Sequence, residues 1–389
     1  MCLGQVSGDS GKPLNIRTAN TGDRNAWDAY VLNHPLGIAY QLFAWKDAVK
    51  RAYGFNAVYL IAEENHSIKG ILPLICFHLP LKGTTLISLP YCDAGGPLAD
   101  SVEIEKQLLL KALDVSRHSP KNNGMVTIRS TQSFAGIDPD LTLKRDKVRM
   151  VLDLPDSSIS LLKSLKAKVR SQARKPERDG LTAQIGGKEL LHLFYPLFAE
   201  NMRDLGSPVH SRKWIQSIFQ AYGNRAQLVL VRLPDKTPAA GGVLLCHDRT
   251  VSVPWASSLG RFNRWNPNML LYWSFLKFAS DNGYQTFDFG RSTPGEGTFR
   301  FKKQWGAEPF SLHWADFSGL NVMGGDVEDG CESPMPVAKP FSPSSESTRS
   351  TGPIEPMGHL RRAGESFFVN LPISFSKAVG PLLRRNISL

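Results

Sequence analysis

The sequence has few cysteines, and their distribution excludes two common kinds of stabilisation. Its five cysteines are scattered over 389 residues, without a CxxC pattern or a Cys/His cluster. Such spacing argues against a disulfide framework and against a structural zinc site. We therefore expect no metal site, and we expect a reduced, cytoplasmic setting.

Long apolar runs are also missing. No stretch approaches the ~20 apolar residues that a membrane-spanning helix needs, and the most hydrophobic window, residues 71–81, contains two prolines. The first residues have neither the basic nor the apolar region of a secretory signal peptide. An apolar content of 42 % with 21 % charged residues is that of ordinary globular domains, which excludes collagen and wholesale disorder.

Positive charge is present in excess and is unevenly distributed. The formal charge is +11. Three segments more than account for it, since residues 141–180 carry +6, residues 291–303 carry +3 and residues 360–389 carry +4, whereas the remaining residues together carry −2. Charge that is concentrated in this way indicates anionic partners at particular places on the molecule.

Length and hydrophobic patterning predict two α/β domains, at about 150 residues per domain. A strand–helix–strand order over residues 250–289 predicts a βαβ unit with a ligand at the carboxyl end of its strands. Pro254 in an apolar run predicts a bulge or a splayed edge, because proline cannot donate to a strand ladder. We predict a loose N-terminus over residues 1–13, domains over 14–154 and 155–318, a disordered Gly/Pro/Ser-rich linker over 319–359, and a basic amphipathic segment over 360–389.

A basic stripe is predicted on a helix within residues 161–180. At 100° per residue, the apolar side chains share one face, and Lys166, Arg170 and Arg174 gather on another. No acidic residue occurs between positions 163 and 176. A stripe of this kind suits a pyrophosphate or a nucleic-acid backbone. The alternative is an ordinary solvated helix face.

A second basic motif occupies residues 287–309. Asp288 and Arg291 bracket the end of a buried strand, and a Gly/Pro loop follows. The next run places basic residues among aromatic ones: Phe299, Arg300, Phe301, Lys302, Lys303 and Trp305. Cations held among aromatic side chains suit the stabilisation of a developing oxyanion or of a phosphate. The alternative is a strand with apolar side chains inward and basic ones outward.

This second motif resembles the FemAB-related proteins associated with PEP-CTERM/exosortase systems. The resemblance extends over about residues 14–317 and 366–389, whereas residues 319–358 look like a local insertion. The segments that carry the resemblance are residues 34–54, 86–100, 201–210, 251–273 and 287–309.

The resemblance implies an α/β fold of tandem GNAT-like domains with mixed sheets, of the FemABX and BioF2-like acetyltransferase type. It also implies transfer of an acyl or aminoacyl group to an amine of a cell-envelope or exopolysaccharide precursor. Residues 263–268 lack the pyrophosphate loop of ordinary acetyl-CoA enzymes. The acyl donor therefore stays open among aminoacyl-tRNA, acyl-CoA and acyl carrier protein, and we expect no bound cofactor.

In that family a Phe-Lys pair lies at the reaction centre, and the matching pair here is Phe301-Lys302. We expect Lys302 to stabilise the oxyanion. No general base stands out: Asp288 is the nearest candidate, with a buried structural aspartate as the alternative, and His210 is the second, with a core or surface histidine as the alternative. The expected substrate-binding residues are Arg291, Ser292, Arg300, Lys303, Trp305, Lys166, Arg170, Arg174, Asn201, Arg203, His210, Trp255, Asn268 and Tyr272.

Two other functions stay open at this point. One is non-catalytic binding of RNA or another polyanion, which a pI of 9.4 favours. The other is a scaffold for polysaccharide assembly at the inner face of the cytoplasmic membrane, which the basic amphipathic C-terminus favours. The expected partners are a small or lipid-linked anionic substrate, with tRNA as a further candidate and no DNA.

Overall fold

The computed structural model describes residues 14–79, 83–134, 142–144, 147–318, 368–369 and 371–388. The segments 1–13 and 319–359, for which we predicted a loose terminus and a disordered linker, lie outside these residues. No helix among the described residues is both long and apolar enough to cross a membrane.

The described residues contain both strands and helices, as expected of an α/β protein. The strands are β1 (Asn15–Thr18), β2 (Ala57–Glu64), β3 (Ser67–Leu79), β4 (Gly83–Ile87), β5 (Leu98–Ala99), β6 (Asn122–Ser130), β7 (Thr142–Lys144), β8 (Val148–Asp153), β9 (Thr182–Gly186), β10 (Ala226–Arg232), β11 (Pro238–Cys246), β12 (Thr250–Ser258), β13 (Thr286–Ser292), β14 (Glu308–Ser311) and β15 (His313–Phe317). The helices are α1 (Arg24–Asn33), α2 (Phe43–Tyr53), α3 (Val102–His118), α4 (Ser158–Ser164), α5 (Ala167–Arg178), α6 (Leu191–Asp204), α7 (Arg212–Tyr222), α8 (Pro267–Asp281), α9 (Gly297–Gln304) and α10 (Ile373–Arg384).

The strands form two mixed sheets with the same internal arrangement. The first sheet has the order β1-β2-β3-β4-β6-β15-β7, with β5 beside β3, and the second has the order β14-β8-β13-β12-β11-β10-β9. In the first sheet β4 and β6 are parallel and are connected through α3, and in the second β12 and β13 are parallel and are connected through α8. This repeat confirms the predicted α/β fold of two similar units, and it confirms the βαβ unit.

The two sheets do not divide the chain at residue 154. Strand β8, which we expected in the first unit, lies in the second sheet between β13 and β14. Strand β15, which we expected in the second unit, lies in the first sheet between β6 and β7. The predicted boundary missed this exchange because the hydrophobic pattern of a strand does not show which sheet receives it.

The structure also corrects one local prediction and excludes one alternative. The basic segment is two helices rather than one, since the backbone is extended at Leu165 and Lys166 between α4 and α5. Pro176 lies inside the last turn of α5. Asn266 stands at the N-cap of α8 without a side-chain cap hydrogen bond. The basic run after residue 296 forms α9, which excludes the alternative of a basic strand.

One aromatic core joins the two halves of the molecule. Trp45 on α2 and Trp214 on α7 are fully buried, with ring centroids 5.2 Å apart and an interplanar angle of 85°. The Tyr222 hydroxyl donates a hydrogen bond of 2.7 Å to the carbonyl of Ala39, which also crosses between the halves. Edge-to-face pairs of this kind hold rings in a defined orientation. These contacts therefore fix the two halves against each other.

Candidate active site

A cavity of about 290 Å³ lies where the parallel strands β12 and β13 diverge. Their pairing ends at Ser252 and Asp288. Beyond that point Pro254 has no N–H to donate, and the register of β12 against β11 shifts there, which confirms the predicted bulge. On β13 the chain bulges at Gly290, with a φ of 74° that favours glycine. The divergence leaves room for a ligand at the carboxyl end of the βαβ unit.

Both halves of the chain and its C-terminal helix line this cavity. Its walls are Tyr40, Tyr91, Cys92, Asp93, Phe198, Met202, His210, Val253, Pro254, Trp255, Ala256, Tyr272, Phe289, Gly290, Arg291, Lys302 and Arg384. Five of the residues expected from sequence are therefore brought together here: Lys302, Arg291, His210, Trp255 and Tyr272.

Lys302 is a buried cation at the cavity wall. Its side chain extends from α9 towards the bulge of β13, where Nζ donates hydrogen bonds to the carbonyls of Gly290 (3.1 Å) and Arg291 (2.7 Å). Burial lowers the pKa of Lys302 from 10.5 to about 8, although the nearby carboxylates oppose this shift. An ammonium group has three donors, so one N–H is left for an oxyanion that develops in the cavity.

Asp93 is the one carboxylate among the described residues that line the cavity. Its Oδ2 accepts a hydrogen bond of 3.1 Å from the backbone N–H of Arg291, and its Oδ1 lies 3.5 Å from the Arg291 Nε. The indole N–H of Trp314 donates to the Asp93 carbonyl at 2.9 Å, and the Arg291 guanidinium lies 5.2 Å from the centre of the Trp314 ring. The loop of the first half is thereby fixed against β13.

His210 is not free to act as the base that we expected as a second candidate. Its Nε2 accepts a hydrogen bond of 3.1 Å from the Nε of Arg384. Because a guanidinium can only donate, the proton of the neutral ring lies on Nδ1, which donates to the hydroxyl of Tyr53 at 3.2 Å. Burial keeps the pKa of His210 well below its usual value. The lone pair of this histidine is used to hold Arg384.

Aromatic side chains form the apolar wall of the cavity. Tyr272 stacks on Phe289 at 5.7 Å, and its ring meets that of Phe301 edge-on at 4.9 Å. Phe301 thus stands behind Tyr272 and supports it, without lining the cavity itself. Burial raises the pKa of Tyr272 to about 12, which keeps its hydroxyl protonated.

Asp288 is a structural residue, which corrects the expectation that it takes part in catalysis. Its side chain is buried, and Oδ2 accepts a hydrogen bond of 2.8 Å from the Nε of Arg149 on β8. Its Oδ1 accepts another, also of 2.8 Å, from the backbone N–H of Gly290. Both oxygens are therefore occupied in shaping the bulge of β13, and Asp288 does not line the cavity.

Four expected residues of the 287–309 motif lie outside the cavity. Ser292 and Trp305 are buried in the protein core. Arg300 and Lys303 are exposed on α9. Successive residues of a helix point about 100° apart, so α9 can direct only Lys302 of its three cations into the cavity.

The basic stripe does not reach the cavity either. Arg170 donates hydrogen bonds to the carbonyls of Leu165 (2.6 Å) and Lys163 (3.2 Å), and so it satisfies the carbonyl end of α4. Lys166 and Arg174 are exposed. The stripe is therefore a surface feature, separate from the cations around Lys302.

The remaining expected residues do not line the cavity. Asn201 donates a hydrogen bond of 3.0 Å to the hydroxyl of Ser257. Arg203 pairs with Asp204, its neighbour on α6. Asn268 lies in the first turn of α8.

Sequence reasoning missed the part of the cavity that comes from the first half and from the chain end: Tyr40, Tyr91, Cys92, Asp93 and Arg384. A signal existed for two of them, since Asp93 lies in a Gly-rich loop and Arg384 in a basic segment. Burial raises the pKa of the Cys92 thiol, which donates to two backbone carbonyls, and this excludes a thiolate nucleophile there. No group of three His, Cys, Asp or Glu residues in the described chain could hold a metal ion.

Comparison with known proteins places the βαβ unit and Lys302 within a known domain family. Residues 163–303 match the family model for the acetyltransferase (GNAT) domain, and this range contains β12, α8, β13 and Lys302. The crystal structure of FemX is similar to the chain with a TM-score of 0.61 at 16 % identity, over 78 % of this chain and 98 % of that one. The fold is tandem GNAT-like.

A second solved structure supports the tandem GNAT-like fold. It is the C-terminal domain of a putative lysylphosphatidylglycerol synthetase from Agrobacterium fabrum, with a TM-score of 0.52 at 12 % identity, over 77 % of this chain and 93 % of that one. No curated protein matches the sequence. The GNAT domain and the tandem fold support an acyltransferase.

Proposed function

We propose that the protein is a FemAB-like N-acyltransferase that transfers an acyl or aminoacyl group to an amine of a cell-envelope or exopolysaccharide precursor, in a PEP-CTERM/exosortase system. The observation that carries the proposal is the buried ammonium of Lys302, which faces a cavity at the divergence of two parallel strands. A cation that is already held in place beside the reacting carbonyl, without reorganisation, stabilises the charge that develops in an acyl-transfer transition state.

The reaction is a direct transfer. The neutral amine nitrogen attacks the donor carbonyl carbon, and a C–N bond forms. The carbonyl oxygen becomes an oxyanion, which accepts a hydrogen bond from the free N–H of Lys302. The bond from that carbon to the leaving oxygen or sulfur then breaks. Asp93 takes the proton that the amine loses and returns it to the leaving oxygen or sulfur as that bond breaks, so that the carboxylate is restored. The carboxylate of Asp93 and the ammonium of Lys302 line the same cavity, which supports this division of roles.

The name of one similar structure supports an aminoacyl donor. That protein is named for lysylphosphatidylglycerol, an aminoacylated lipid. On this chain, Lys166, Arg174, Arg300 and Lys303 are exposed cations outside the cavity. Exposed cations of this kind can hold the phosphates of a large donor such as aminoacyl-tRNA while its acyl end enters the cavity.

A donor screen tests the proposal. The protein is incubated with an amine acceptor and, separately, with aminoacyl-tRNA, acyl-CoA and acyl carrier protein, and the products are identified by mass. With the active donor, Lys302→Ala is expected to lower turnover about a hundredfold, which is typical for the loss of one oxyanion donor. The matched control is Lys188→Ala, which removes an exposed lysine that does not line the cavity. Equal activity of both variants would remove Lys302 from the mechanism.

Non-catalytic polyanion binding is the second candidate, and the exposure of Lys166 and Arg174 favours it. A salt series with uncharged tRNA distinguishes the two functions. Tight, salt-dependent binding without any turnover in the donor screen supports the binder.

Contact with a membrane surface is compatible with the enzyme. Phe375 and Leu382 on α10 are 48 % and 68 % exposed, on a helix that also carries Lys377. Flotation with vesicles that contain anionic lipid, using the wild type and Leu382→Ser, tests whether this face holds the protein at a membrane.

A further inference from the structure

The C-terminal end of the chain is attached to the first half by hydrogen bonds of its backbone. The carbonyl of Ser388 accepts from the backbone N–H of Tyr91 (2.6 Å) and from Nη1 of Arg129 (3.1 Å), and its hydroxyl accepts from Nη2 of Arg129 (2.7 Å). The Tyr91 hydroxyl donates to the carbonyl of Arg385 at 2.7 Å. Because Arg129 is itself buried, these contacts hold the residues after α10 in a defined place.

The body of α10 lies close against the second half. A side chain at Gly380 would approach the backbone nitrogen and the Cγ1 of Val209 to 3.1 Å. Ser376, one turn earlier, is buried. Small residues at these two positions therefore let the helix lie directly on the segment that carries His210. The next turn brings Arg384 to the cavity wall.

Arg384 enters the cavity without an acidic partner. Its Nε donates to Nε2 of His210. In the described part of the chain, its Nη1 and Nη2 make no hydrogen bond, and no carboxylate forms a salt bridge with it. Burial lowers the pKa of Arg384. The two Nη groups are therefore available to an anionic ligand.

The side chains that line the cavity carry more positive than negative charge. Arg291, Lys302 and Arg384 contribute three cations, whereas Asp93 is the one carboxylate among the described lining residues. The oxygens of Asp93 already face the backbone and side chain of Arg291. Besides the one free N–H of Lys302, an anionic group that enters the cavity would therefore meet the Nη groups of Arg384.

We propose that Arg384 binds an oxyanion group of the substrate, a carboxylate or a phosphate, and that His210 positions its guanidinium for this purpose. This proposal depends on the proposed function in one respect, because it takes the cavity to be the substrate site. A planar guanidinium held at Nε presents its two Nη groups side by side, which is the geometry that carboxylates and phosphates accept in two parallel hydrogen bonds. The C-terminal helix is then part of the site.

Binding of simple anions tests the proposal without any acyl donor. The full-length protein is titrated with inorganic pyrophosphate and, separately, with succinate, and binding is followed by tryptophan fluorescence, since Trp255 lines the cavity. Arg384→Gln is expected to weaken binding of the preferred anion at least about tenfold, as the loss of a charged hydrogen-bond partner does. The control Lys377→Gln removes the same charge from the same helix at a residue outside the cavity, and is expected to bind like the wild type.

The outcomes separate the two proposals. Preference for pyrophosphate assigns a phosphate to the site, and preference for succinate assigns a carboxylate. Unchanged binding by Arg384→Gln, an equal loss in both variants, or no binding by the wild type overturns the role of Arg384. If anion binding depends on Arg384 but no donor gives a product, the proposed function fails while this inference stands.

A wild-type measurement keeps the test valid if Arg384→Gln does not fold. The preferred anion is expected to protect Arg384 from modification by phenylglyoxal, read by mass on the C-terminal peptide. Arg178, which is exposed and lies outside the cavity, serves as the internal reference. Equal modification of Arg384 with and without the anion overturns the proposal.

Discussion

The buried ammonium of Lys302 leads to a prediction about how stability depends on pH. Lys302→Met replaces it with an unbranched apolar side chain of similar length that cannot take up a proton. The variant loses two hydrogen bonds to the carbonyls of Gly290 and Arg291, but it also loses the cost of a buried charge. The two effects can be separated because only the second varies with pH.

The direction in which stability changes with pH follows from the pKa of Lys302, which burial lowers from 10.5 to about 8. Below pH 8 the lysine is protonated in both the folded and the unfolded protein, and the folded state carries the full cost of the buried charge. Between pH 8 and 10.5 the unfolded state binds more protons, so the wild type gains stability as the pH rises. The whole difference corresponds to about 3 kcal/mol, of which about 1 kcal/mol develops between pH 7 and pH 9.

The assay is urea unfolding of the wild type, Lys302→Met and Lys303→Met at pH 7 and pH 9. Coincident transitions by tryptophan fluorescence and circular dichroism establish that each unfolds in one step. The free energy of unfolding of the wild type is expected to rise by about 1 kcal/mol relative to Lys302→Met between the two pH values. Lys303 is exposed in the folded protein as well, so its removal is not expected to change the pH dependence. A constant difference between wild type and Lys302→Met would refute the burial argument.

Two further predictions concern the bulge of β13. Asp288→Asn leaves the guanidinium of Arg149, whose side chain is 16 % exposed, without its carboxylate. The variant is expected to lower the free energy of unfolding, measured in urea, by about 3 kcal/mol. An unchanged free energy of unfolding would mean that the ion pair does not stabilise the fold. Gly290→Ala forces a φ of 74° on a residue with a Cβ, and is expected to cost about 1 kcal/mol and to lower Tm by a few degrees in calorimetry. Gly297→Ala, where nothing lies within 4 Å, is the control; an equal Tm for both would contradict the strain at Gly290.

The elements of the second half could be predicted well because their signals are local. The helix α8 and the strands on either side of it follow from Pro267 at the first helical position, from the apolar pattern, and from the glycine after its end. Lys302 could be found because its motif is contiguous. The sequence does not show that the side chain of Lys302 points into the cavity while Arg300 and Lys303 face water. That follows only from the helical structure of α9.

The remainder of the site depends on contacts between distant parts of the chain. Asp93 meets Arg291 from the other half, and Arg384 meets His210 from the chain end. Neither contact has a signature in the spacing of the residues themselves. For the same reason Asp288 looked catalytic from its place at a strand end, whereas the partner that makes it structural, Arg149, lies on a strand assigned to the other unit.

The exchange of β8 and β15 between the sheets has a consequence for synthesis of the protein on the ribosome. The first sheet receives β15 between β6 and β7, so it stays incomplete until nearly the whole second half has been translated. During that interval β6 presents an unpaired edge, which is the kind of surface that pairs with other chains. The exchange thus makes folding of the two halves interdependent, and a fragment ending at residue 154 would carry this open edge permanently.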